Sequence, residues 1–445
     1  MEQQYIDLYK QHKMLINNNS AEVLNSKRDE FFALFEKLGF PTSRLEKYLY
    51  SDLRELFSVN YGLNINRLHI PVNNSAQSFQ CDVPGVSSHL YFVVNDQFYS
   101  AKNSLPLPEG VIIGSLKEIA ETHSELIEKY YARLASQKND GLVAFNGAFA
   151  QDGFFIYVPK NVALEKPVQI VNIMRSNVDF MANSRNLVIL EEGAKAQLLV
   201  CDHTMDDVRF LENRVTEVFV AERAVYEHYK LENTHAKNTN LSTLLIEQKA
   251  SSNVLANIIT LHNGITRNTI EIDLNGEHCE TRLCGMVLSD KNQQVDNFTS
   301  VRHNKPNCRS TEMFKYVLED QSLCGFTGQL IVAKDAQKTQ AFQTNKNLLL
   351  NKEARMRTKP QLEIYADDVK CSHGATIGQL DEEALFYLRA RGISAKEARL
   401  LLMNAFTADI IDNINIPALQ DRIKMLVEKR LRGENAQCEG CVICK

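Results

Sequence analysis

No stretch of this chain approaches the ~20 consecutive apolar residues that cross a bilayer, and the opening MEQQYIDLYKQHK lacks the apolar core of a secretory leader. The expectation is a cytoplasmic protein without membrane contact. Excess basic charge is missing as well. Fifty Lys and Arg are outnumbered by 55 Asp and Glu, and no dense basic patch offers a footprint for a phosphate backbone, so nucleic acid is not expected as a partner. There is no G-x-x-x-x-G-K-[ST] loop, no G-x-S-x-G elbow and no H-E-x-x-H helix. The chain is therefore not expected to hydrolyse ATP or to carry a hydrolase site of its own.

The 445 residues suffice for two or three domains at ~150 residues each, and 44% hydrophobic residues can fill a substantial core. Ten cysteines, scattered through the middle and bunched at the end, do not form the dense framework of a small secreted domain. They read as free thiols or metal ligands.

Residues 1–60 read as an N-terminal helical region, in which Phe31, Leu34, Phe35 and Leu38 recur at helical spacing before Gly39 and Pro41. A mixed α/β linking segment, 61–145, holds a strand-like run at 90–94 and a charged helical stretch at 116–137. From 146 to 378 the texture is β throughout. Runs at 187–190, 197–201, 215–220, 225–231, 241–248 and 254–261 recur every 10–15 residues or so, with no amphipathic helix between them. Few connections resemble two-residue hairpin turns, which favours a parallel β-solenoid over a sandwich and implies open ends to be capped or paired.

Residues 379–433 read as a C-terminal helical domain. Asp381 can cap its first helix, and Ser394 to Glu397 form a capping box before a stripe of Ala398, Leu401, Leu402, Ala405 and Phe406. Pro417 opens a third helix with a stripe of Leu419, Ile423 and Leu426.

Three places carry chemistry. On an extended segment Cys371 and His373 share one face, so thiolate and imidazole can address one soft or borderline metal; a strand-end thiol and a hydrogen-bonded histidine is the alternative. Asp367 and Asp368 are adjacent and read as turn or interface residues. The run 296–308, with His303 and Cys308, reads as a structural loop. In the tail, 434–445, Cys438, Cys441 and Cys444 have a C-x-x-C-x-x-C spacing compatible with zinc or part of an iron-sulfur cluster, equally with a redox-exposed tail.

Several ordered motifs carry a resemblance. LEIYADDVKCSHGATIG at 362–378 runs on into FYLRARGI at 386–393, and DAQKTQA at 335–341 precedes NKNLLL at 345–350. The stretches 297–310 and 146–159 fit too, as do Glu46, Tyr50 and Leu53, with Tyr48 at a place where tryptophan is usual. With these motifs the chain resembles the SufB/SufD scaffold family of the Suf iron-sulfur assembly system, its SufD branch most, because Ser372-His373-Gly374 stands where SufB-type chains have a His-Glu pair.

The resemblance implies a right-handed parallel β-helix flanked by helical N- and C-terminal parts, and a non-catalytic scaffold subunit. It further implies pairing through the β-helix with a SufB-like paralogue, and a SufC-like ATPase bound by the C-terminal helices. A transient nascent iron-sulfur cluster would be shared across the pair at His373 and Cys371, with no cofactor held permanently by this chain alone. A self-pairing homodimer stays open, and a β-solenoid carbohydrate-active enzyme is the reading of another class. The cysteine tail is not part of the family pattern.

Overall fold

A computed structural model describes residues 2–68, 87–100 and 105–434. The tail thiols Cys438, Cys441 and Cys444 lie outside the described residues.

The N-terminal region builds helices α1 (Glu2–Asn18), α2 (Glu22–Asn25) and α3 (Arg28–Leu38), the last ended by Gly39 at φ 63°. The next segment contributes β1 (His89–Val94), β2 (Gln97–Ser100), β3 (Ile112–Ser115), α4 (Leu116–Thr122), α5 (Ser124–Tyr130) and α6 (Gly141–Phe149). Residue 146, the expected first residue of the β region, falls inside α6, while β1 already belongs to the solenoid, pairing in parallel with a later strand.

The solenoid continues through β4 (Phe154–Val158), β5 (Val168–Met174), β6 (Phe180–Leu190), β7 (Lys195–Thr204), β8 (Phe210–Val220) and β9 (Val225–Asn233). It goes on with β10 (Asn238–Gln248), β11 (Asn253–His262), β12 (Ile265–Leu274), β13 (Glu280–Ser289) and β14 (Gln294–His303). The last strands are β15 (Arg309–Leu318), β16 (Leu323–Val332), β17 (Gln340–Leu349), β18 (Arg355–Ile364) and β19 (Lys370–Gly378). All six apolar runs read from the sequence lie within these strands. The run 296–308 is corrected: most of it is strand β14, because Val295, Asn297, Thr299 and Val301 alternate inward, and only 304–308 turns.

From β4 on, even strands stack in parallel in one sheet, and odd strands in the other from β5 on, giving about eight turns of a two-sheet solenoid. One residue at the same corner of each turn has positive φ: Asn161, Gly193, Arg223, Ser251, His278, Asn307 and Lys338. From Asn161 through Lys338, each donates its backbone N–H to a carbonyl of the next turn's corner, as Ser251 does to Glu277 at 2.8 Å.

Over the earlier and middle turns both faces of each sheet are covered, which is why those strands read as nearly continuous apolar runs. Between the sheets lie Ile170, Leu198, Val200, Val218, Ile246, Ile258, Ile270, Phe314 and Phe326. Outside the even sheet, α1, α3 and α6 pack Tyr5, Phe35 and Phe145 toward Leu187, Leu211 and Leu241. Outside the odd sheet lie the C-terminal helices α7 (Glu382–Ala390), α8 (Ala395–Ile411) and α9 (Pro417–Leu431), whose Met403, Ile410, Ile423 and Leu426 meet Leu255, Met286 and Val317. Asp381 and Ser394 cap α7 and α8 as expected, and Leu419, Ile423 and Leu426 are buried. The α8 stripe is corrected: its buried face is Ala398, Leu400, Met403, Thr407, Ile410 and Ile411, and Leu401 points outward.

A polar file runs inside the solenoid. Arg214 and Asn240 donate to Asp202 at 2.9 Å, Lys230 to Asn268 at 2.9 Å, Asn268 to Asn297 at 2.8 Å, and Asn297 to the Tyr316 hydroxyl at 2.7 Å. Each of these side chains finds a partner on a facing or neighbouring strand, which offsets the cost of burying it.

Candidate functional site at the open end of the solenoid

The last turn ends in two edge strands, β18 and β19, each hydrogen-bonded on one side only. Unpaired N–H and C=O groups therefore line both strands at one end of the molecule. Exposed Ile364, Tyr365 and Ile377 add apolar surface there. The turn joining the two strands contains Asp367 and Asp368; the Asp368 N–H donates to the Gln337 side chain at 2.9 Å and its carbonyl accepts from Lys338 at 2.6 Å, a structural turn as read.

Cys371 and His373 lie on β19 in register with Ala341 and Gln343 of β17. Two residues apart on one strand, they share a face, the face that in the preceding turns points between the sheets. Cys371 is half-buried against the small cluster of Leu330, Val332, Ala336 and Ala341, and burial raises its thiol. His373 is exposed. Thiol and imidazole thus emerge where the solenoid interior meets solvent, and the turn that would have covered them is absent.

Behind His373 the register continues inward. Gln343 of β17 sits over Glu312 of β15, and the Gln343 Nε2 donates to the Glu312 carboxylate at 2.6 Å. Both are fully buried, and burial pushes the Glu312 carboxyl up to about 7. Nothing in the sequence analysis singled out this pair; the signal was present in spacings of 31 and 30 residues from Glu312 to Gln343 to His373, the length of one turn.

The other reactive residues are elsewhere. His303 is buried with a 2.8 Å hydrogen bond to Ser310, and burial pushes it down to about 4. Cys308 is buried beside Cys279, both thiols donating to the Gly276 carbonyl at 3.2 Å. Among the described residues no group of three or more His, Cys, Asp and Glu is gathered as a metal site, so the open end supplies two donors and not a full set. No helix among the described residues is long and apolar enough to cross a membrane.

The core domain of the SUF system FeS cluster assembly proteins, SufBD, matches residues 172–406, more than half of the chain. The chain belongs to the SufB/SufD family. The N-terminal region characteristic of SufBD proteins matches residues 1–170, so the helices over the even sheet are part of the family's build. The chain is 33% identical to the iron-sulfur cluster assembly protein SufD of Escherichia coli over 291 residues, covering 64% of this chain and 68% of that protein. It is 27% identical to a SufBD family protein of Synechocystis over 94% of this chain and 93% of the other. With SufD of Bacillus subtilis identity is 26% over 73% and 75% of the two chains. The SufD likeness and the parallel β-solenoid agree with the resemblance read from the motifs.

Proposed function

We propose that this chain is the SufD-type scaffold subunit of an iron-sulfur cluster assembly complex, working in the cytoplasm without an active site of its own. Its open solenoid end pairs with a SufB-like paralogue, and the paired end holds a nascent cluster as cargo. His373 and Cys371 offer imidazole and thiolate to that cargo, and the paralogue supplies the remaining ligands. A SufC-like ATPase binds the C-terminal helices and supplies ATP hydrolysis.

The observation that carries this reading is the coincidence of two things at one place: a Cys and a His donor sharing a face of the edge strand β19, and the unpaired end of the solenoid. Two donors are half a coordination set, which fits a site completed by another chain. The second contact is supported by Phe386, Tyr387 and Leu401, which are 73%, 55% and 43% exposed on α7 and α8. Large apolar groups left in solvent on neighbouring helices mark a docking surface.

The test is anaerobic co-expression with SufB-like and SufC-like proteins, followed by size-exclusion chromatography with light scattering and analysis of iron and sulfide. His373→Ala is expected to assemble normally and to lose most of the cluster. A chain that ignores both proteins and runs as a homodimer would overturn the heteromeric pairing.

A further inference from the structure

The column behind His373 is built with more care than a structural filler needs. Successive strands of the odd sheet lie ~4.8 Å apart, so Glu312, Gln343 and His373 form three consecutive rungs from the interior to the open end. Gln343 is 1% exposed and Glu312 is 2% exposed. The Nε2 end of the Gln343 amide is fixed by its 2.6 Å bond to Glu312, so the carbonyl end is fixed too. That carbonyl oxygen, Oε1, is buried without a hydrogen-bond partner. A buried acceptor left unpaired costs ~1–3 kcal/mol, so a donor brought within reach of it gains that energy by pairing.

The facing sheet leaves room for this amide. At Gly328 on β16 a Cβ atom would stand 2.3 Å from the Gln343 Nε2, so a larger residue there would push the amide out of place. The neighbour beyond Gln343 along the column is His373, whose ring offers an N–H. A histidine that ligates metal through one ring nitrogen holds its orientation and tautomer by donating the other N–H to an acceptor behind it.

We infer that Gln343, held in place by Glu312, is a positioning residue for His373: its Oε1 accepts one ring N–H and leaves the other ring nitrogen to face the cargo. The inference rests on the reading of His373 given above. It adds a role for two buried residues that do not touch the cargo. Glu312 acts one step further back, since a carboxylate or carboxyl at that rung decides which end of the amide faces outward.

Co²⁺ serves as the probe, titrated anaerobically into the purified apo complex with both protein partners, its ligand-field and thiolate charge-transfer bands reporting site geometry. His373→Ala is expected to abolish the Co²⁺ site, and if it leaves both the bands and the cluster content unchanged, the reading of the site itself fails. Gln343→Met keeps volume and removes the acceptor; it is expected to weaken Co²⁺ binding about tenfold, within the range for lost outer-shell partners, and to shift the ligand-field bands. Glu312→Gln, isosteric and fold-preserving, is expected to weaken binding several-fold and covers the case in which Gln343→Met fails to assemble. Wild-type affinity and spectra in Gln343→Met or, where that variant does not assemble, in Glu312→Gln would overturn the positioning role, even with His373 confirmed.

Discussion

Glu312 shows how a single buried residue sets a pH dependence. Its carboxyl is raised from 4.5 to about 7 by burial, so between those values the folded chain holds a proton that the unfolded chain releases. Stability then falls as pH rises through that window, and the loss is complete above the folded value. A shift of this size corresponds to about 3 kcal/mol. The titratable neighbours that feel it, Cys284 and Tyr316, are themselves pushed up by burial and stay neutral across the window. Glu312→Gln is therefore expected to gain stability relative to wild type between pH 5 and pH 8, measured by denaturant unfolding at the two values; an equal difference at both would contradict the shift.

Glu217 belongs to the same scale. It is buried, pairs with Arg185 at 2.9 Å and accepts the backbone N–H groups of Ala132, Leu134 and Ala135. Glu217→Ala leaves the Arg185 charge buried and unpaired, and a loss of ~3–5 kcal/mol is expected in equilibrium unfolding.

At the scale of elements, α8 divides into two faces with different work. Its Met403, Ile410 and Ile411 are buried against the odd sheet, and the buried Lys315 reaches across to donate to the Phe406 carbonyl at 2.7 Å. Leu401, with Phe386 and Tyr387 of α7, faces outward. Phe386→Ala and Leu401→Glu are thus expected to change stability by no more than ~0.5 kcal/mol while abolishing capture of the ATPase proposed above as a partner in pull-down assays. Ile423→Ala on α9 is expected to do the reverse kind of damage, costing ~2–5 kcal/mol through a cavity under the helix.

The same helix explains one limit of reading from sequence. Apolar residues occur on both faces of α8, so periodicity located the helix and its Ser394 cap but favoured Leu401, an outward residue, over Leu400 and Met403. The strands were legible because both of their faces are apolar and short turns separate them. The chain continuity of 296–303 was not, because Asp, Asn, Ser and Arg dilute it; Asn297 serves the polar file, and Asp296 the contact with the N-terminal region, pairing with Arg267 and accepting from Ser51 at 2.6 Å. Cys371 and His373 were visible as a pair on one face, but the column behind them needs the register of three strands that are distant in sequence.

Across the whole molecule, stability should decline toward the open end. Middle turns are flanked by strands on both sides and covered by helices, whereas β18 and β19 have one hydrogen-bonded neighbour each and few buried residues. Amide exchange is expected to be faster at 355–364 and 370–378 than in β10 to β13 of the isolated chain, and, on the proposed pairing, to slow markedly when the paralogue is added. Uniform protection along the solenoid would count against an end kept open for a partner.

The file of left-handed corner residues has a consequence for how such a chain can change length. Corners recur at spacings of 27 to 32 residues, and each closes onto the next by one backbone hydrogen bond. A few residues can be added where a corner bulges outward, but a one-residue cut inside a strand turns the inward side chains of the rest of that strand outward. Inheritance can therefore edit this region most freely in whole coils, like links in a chain, so a change of length is expected as a link added or lost or as a bulge at a corner.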